Sequence, residues 1–209
     1  VILYDEGMYP SGSSAGQIVA TDPSLQTRCL AKVDLEDGAD PVLGDDMNLV
    51  GTFVSPDGVR FAVIERKADS FIRGLHYLAN DKEETPTAAD LLNPRAVDLF
   101  VELVYRRYTE RLRRFFGNTI IGIFTDEPHQ LAKCRERGSS PVFPATRNMI
   151  GLVNEIVGYD FKPHLPSLWY EDIENFERHR SDYEYAVQKL HDRIYYTALH
   201  KFCNEHDLA

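Results

Sequence analysis

The chain has 209 residues, with 23 Lys and Arg against 33 Asp and Glu, a formal charge of −10. At 43% hydrophobic and 27% charged it is not a disordered tail, and no apolar run reaches the roughly 20 residues that a membrane helix needs. The acidic balance excludes an ordinary duplex-binding surface, and three dispersed cysteines (Cys29, Cys134, Cys203) exclude a disulfide framework or a CxxC zinc site.

Val1 to Tyr4 is a short apolar run that stops at Asp5-Glu6, the way a buried parallel strand ends. Small residues from Tyr9 to Gly16 predict a loop. From about Thr27 to Tyr77 the pattern alternates, and Ser55-Pro56-Asp57-Gly58 predicts a hairpin turn, so 27–80 reads as a small antiparallel β insertion. Asn93-Pro94 supplies a side-chain cap and an N1 proline, starting a helix that Gly117 ends. Its apolar stripe runs from Val97 to Phe115, and its arginines, Arg106 to Arg114, read as a solvated face.

Thr119 to Phe124 is the second buried strand, and it too closes on acids, Asp126-Glu127 before Pro128. Helices are expected from about Thr146 to Val157 and from Ser181 to His206. Helix, apolar strand and acidic strand end form the repeating unit of a parallel α/β fold. The chain starts inside a strand and closes on residues that read as the turn into another, so it reads as a piece of a longer protein. No secretory signal is visible in these residues, where a missing N-terminus would hide one, and a cytoplasmic location is the expectation.

Two strands ending in adjacent carboxylates suggest chemistry at one rim, since barrel enzymes build their sites at the C-terminal ends of strands. Asp5, Glu6, Asp126 and Glu127 would then surround one pocket, an arrangement suited to acid/base or nucleophilic work on a glycosidic bond. His129 lies just beyond, and Arg73 and His76, flanking a glycine, could reach over the pocket from the insertion. Trp169-Tyr170 is either a sugar platform or core packing, and Asp45-Asp46 reads as solvated loop charge. The sequence has no HExxH, P-loop, GxGxxG or GxSxG, so zinc proteolysis, phosphoryl transfer and hydride transfer lack support, and no cofactor or metal is expected.

The run Leu3-Tyr4-Asp5-Glu6-Gly7-Met8-Tyr9-Pro10-Ser11-Gly12 with Ala15-Gly16 resembles a segment of bacterial TIM-barrel glycoside hydrolases of the α-L-rhamnosidase-like group. Ile72 to His76, Ala89 to Pro94, Thr119 to Pro128 and Gly158 to Leu168 resemble further pieces of that group, in the same order. The resemblance implies a partial (β/α)8 barrel, made of 1–26 and 81–209, with the 27–80 insertion on its C-terminal rim. It implies Glu127 as the acid/base carboxylate and Asp5 and Glu6 as residues lining a sugar subsite. A second catalytic carboxylate is expected on a strand outside the chain. The implied partner is a carbohydrate, with neither nucleic acid nor membrane. Two other readings stay open: a non-catalytic carbohydrate-binding or scaffold module, and a metal-dependent barrel lyase or aldolase.

Overall fold

A computed structural model describes residues 1–36, 38–74, 85–131, 133–134 and 140–209. In chain order the elements are β1 (Ile2–Tyr4), β2 (Met8–Tyr9), α1 (Gln17–Thr21), β3 (Arg28–Asp34), β4 (Asn48–Val54), β5 (Arg60–Lys67), β6 (Ser70–Phe71) and β7 (Arg73–Gly74). Then follow α2 (Pro94–Phe100), α3 (Arg107–Leu112), β8 (Gly122–Phe124), β9 (Lys133–Cys134), β10 (Phe143–Ala145), α4 (Met149–Val157), α5 (Phe176–His191) and α6 (Thr197–Glu205). A wider π-helical turn joins α2 to α3 (Val101–Arg106), and another joins α5 to α6 (Asp192–Tyr196). Asn93 caps α2 as the sequence predicts, its Oδ1 accepting from Arg95 N at 3.0 Å.

The chain divides into two compact units, Val1–Thr27 with Asp69–Arg135 and His191–Ala209, and Arg28–Ala68 with Glu136–Leu190. In the first unit β1 and β8 pair in parallel, Ile2 opposite Gly122 and Tyr4 opposite Phe124, as two apolar runs closing on acids should. Ala209 continues the same ladder on the other side of β8. Its N–H donates to Ile121 O at 2.9 Å, and its carbonyl accepts from Ile123 N at 3.3 Å, the parallel pattern.

Side chains alternate across these strands. Leu3 and Ile123 pack onto a core of Val97, Phe100, Tyr105, Tyr195, Leu199 and Phe202, which the helices supply. On the other face Ile2 is 62% and Phe124 54% exposed. Among the described residues, this small parallel sheet is therefore covered by helices on one face only.

The second unit is a four-stranded antiparallel sheet in the order β10-β3-β5-β4. Phe61 to Ile64 of β5 are all buried, so both faces of that strand are covered. A bulge between Leu49 and Gly51 interrupts the β4 register. At the end of the β3–β5 ladder lies a buried ion pair, Arg28 Nε to Glu65 Oε1 at 2.8 Å, with Arg28 Nη1 reaching Asp46 at 3.2 Å. Lys67 at 3.4 Å and Arg147 also meet Asp46, which is thus the hub of a cationic cluster rather than a solvated loop charge.

The unit boundaries differ from those the sequence suggests. The unit that holds the antiparallel sheet takes in 140–190, which the sequence alone places with the barrel part, because β10 pairs with β3 and Tyr183 OH donates to Pro144 O at 2.7 Å. Residues 69–74 stay with the first unit, because β6 pairs with β9 and β7 with β2. Trp169 is part of the second unit's packing: its indole donates to Pro141 O at 2.8 Å and meets the Phe143 ring edge-on at 5.1 Å.

Candidate active site

The loop after β1 folds around the Glu6 carboxylate. Oε1 accepts from Gly7 N at 3.0 Å and Ala15 N at 2.7 Å, and Oε2 from Ser13 N at 3.1 Å. A carboxylate thus does here what a bound anion does in a nest of backbone amides. The turn needs small residues: Gly16 has φ +83°, and a Cβ there would lie 2.4 Å from Pro86 Cβ. Burial pushes Glu6 up to about 7, against the pull of those amides.

Asp5 is buried and doubly held, its Oδ1 by Ser11 Oγ at 2.7 Å and its Oδ2 by Tyr105 OH at 2.9 Å. Burial raises its pKa and the hydroxyl donors lower it, with burial the larger effect. Ser11 joins the two strand ends. Its hydroxyl donates to Asp5 and accepts from Asp126 N at 2.9 Å, while its own N–H donates to Asp126 O at 3.0 Å. Tyr4 OH donates to Asp126 Oδ2 at 3.1 Å, and burial together with that carboxylate pushes the phenol up to about 12.

Glu127 differs from the other three. It is exposed, its backbone is left-handed at φ +43°, and Tyr9 OH donates to its Oε2 at 2.7 Å. A non-glycine residue held in that region costs on the order of 1–3 kcal/mol, and such residues cluster at functional sites. His129 is exposed, and its Nδ1 accepts from Leu131 N at 3.2 Å, within its own loop.

The structure therefore brings the loops of all four carboxylates together but gives them unlike surroundings. Asp5 and Glu6 border a cavity of about 370 Å³ with Tyr4, Tyr108, Gln17 and Arg107, and neither Asp126 nor Glu127 lines it. Arg73 lies in β7, whose backbone pairs with Tyr9 beside Glu127; His76 lies outside the described residues. Sequence reasoning gave no role to Tyr9, Ser11 or Tyr105. Tyr9 and Ser11 belong to a motif already singled out, whereas nothing local in the sequence marks Tyr105, which lies between stripe residues Val104 and Tyr108.

Comparison with protein-family models, with curated proteins and with solved structures finds no match for this chain. Among the described residues no helix is long and apolar enough to cross a membrane.

Proposed function

We propose that the first unit is part of the wall of a (β/α) barrel and that the protein is a glycoside hydrolase, α-L-rhamnosidase-like, with Glu127 as its general acid/base. The barrel reading is supported by parallel strands whose helices cover one face, since a doubly wound sheet would carry helices on both. One observation carries the assignment of Glu127: it is the exposed carboxylate of the four, placed just past a parallel strand in a strained conformation and oriented by a phenol.

In this reading the Glu127 carboxyl donates its proton to the glycosidic oxygen as the C–O bond breaks and the second carboxylate, expected outside the chain, bonds to the sugar carbon. The resulting Glu127 carboxylate then takes a proton from the water that displaces that carboxylate from the sugar carbon. Tyr9 fixes the rotamer through Oε2, leaving Oε1 to serve the glycosidic oxygen. Asp5 and Glu6 shape the sugar subsite from behind, by holding the two loops, and Asp126 joins those loops through Ser11. The geometry does not favour the metal-dependent alternative, because Glu6 already receives amide protons on both oxygens and Asp5 hydroxyl protons on both of its own.

Wild type and Glu127→Gln, assayed in the full-length protein on aryl α-L-rhamnosides and β-galactosides, test the assignment. Turnover should fall by roughly 10²–10⁴-fold while the protein stays folded; near-full activity in the variant would refute it. A second reading, a non-catalytic carbohydrate-binding module, is favoured by the engagement of Asp5, Glu6 and Asp126 by protein donors. It predicts saturable sugar binding by wild type with no hydrolysis.

A further inference from the structure

The helix that closes the chain brings another polar group to the same rim. Tyr195 OH lies 2.8 Å from Thr125 Oγ1, just past the C-terminal end of β8, whereas Ala209 pairs lower on that strand, at Ile121 and Ile123. The helix thus runs antiparallel to β8, and a residue about one turn before Tyr195 stands farther out, level with the 125–131 loop. That residue is His191. It is 2% exposed, its ring stacks on Tyr195 at 5.3 Å and meets Tyr196 edge-on at 5.0 Å, and its Nε2 has no hydrogen-bond partner among the described residues. Buried polar atoms are almost always paired, so an unpaired imidazole nitrogen at the proposed active rim needs a reason.

We propose that His191 is a substrate-binding residue whose Nε2 pairs with a hydroxyl of the sugar held at the Glu127 loop. This rests on the glycosidase reading above. Burial keeps the ring neutral, depressing its pKa to about 4, with Asp192 opposing and His129 adding to the effect. A neutral ring suits a hydroxyl, which can donate or accept and so fits either tautomer; it offers an anion no charge. Nε2 is shielded from water, so a ligand hydroxyl reaches it as the side chains that cover it shift.

The test is a titration of ¹⁵N-labelled protein with methyl α-L-rhamnopyranoside and methyl β-D-galactopyranoside, read in the long-range histidine spectrum. At least one glycoside should shift His191 Nε2 saturably. His191→Phe, which keeps the ring stack, should bind the same glycoside about tenfold more weakly, the worth of one hydrogen bond. Unchanged affinity in the variant, or an Nε2 signal that does not move while the sugar binds, would overturn the proposal and leave the glycosidase reading standing. If neither sugar binds wild type, both fall together. The Nε2 shift is read on wild type, so the outcome does not depend on the variant folding.

Discussion

Of the four acids that end the two parallel strands, three are bonded inside the protein and one is presented. Glu6 has the more demanding environment. Glu6→Gln puts an NH₂ group against backbone N–H donors that now meet a carboxylate, and should cost roughly 1–3 kcal/mol in urea unfolding. The pH dependence has a definite sign. The folded pKa of about 7 lies above the ordinary 4.5, so the folded state holds the extra proton between those values. The contribution from Glu6 is fully present below about pH 4.5 and is lost as pH rises through about 7. Buried His191, depressed to about 4, works the other way: its contribution is present above 6.5 and lost as pH falls through about 4. Subtracting the Glu6→Gln stability curve from that of wild type isolates the Glu6 share, on the order of 3 kcal/mol across the window. A difference curve that is flat, or that rises with pH, would contradict the assignment. Glu127 should show the reverse balance of stability and activity. Glu127→Gly relieves the left-handed strain and should raise stability by about 0.5–1 kcal/mol while abolishing turnover, measured by thermal melting and by the glycoside assay.

Among the elements, β3 and β5 of the second unit are joined by the Arg28–Glu65 pair, two charged side chains that are almost wholly out of water. Glu65→Ala leaves the Arg28 guanidinium short of a partner in the interior. It should cost about 3–5 kcal/mol by urea unfolding, against less than about 1 kcal/mol for removing the exposed Glu102 from its pair with Arg106. The α2 cap is a smaller matter: Asn93→Ala should cost about 1 kcal/mol. The cap, the Ser55 to Gly58 hairpin turn and the apolar runs of β1 and β8 were legible because each rests on neighbouring residues alone. The π-helical turns were not. They widen the helix by a residue without breaking its apolar stripe, yet they carry Tyr105 and Tyr195, the phenols that reach the ends of β1 and β8.

At the level of the whole molecule, what the sequence concealed was long-range pairing. Nothing local in Phe143-Pro144-Ala145 says that this triplet joins the sheet begun by Arg28, more than a hundred residues earlier. Nor does anything local say that Arg73-Gly74 leaves that sheet to pair with Met8-Tyr9. The acidic ends of the two strands were legible, but the unlike surroundings of their carboxylates were not. A carboxylate wrapped by backbone amides and one left exposed are the same letters, and only the donors around them tell them apart. In the proposed function Glu127 delivers the proton to the leaving group, and the rate of hydrolysis across a series of aryl glycosides whose leaving phenols span a wide range of acidity, for wild type and Glu127→Gln of the full-length protein, tests that role directly. The dependence should be shallow in wild type and steep in the variant, with near-normal bond cleavage for the most acidic phenols and the greatest loss for the least acidic. An equal loss for every leaving group, or no loss at all, would contradict it.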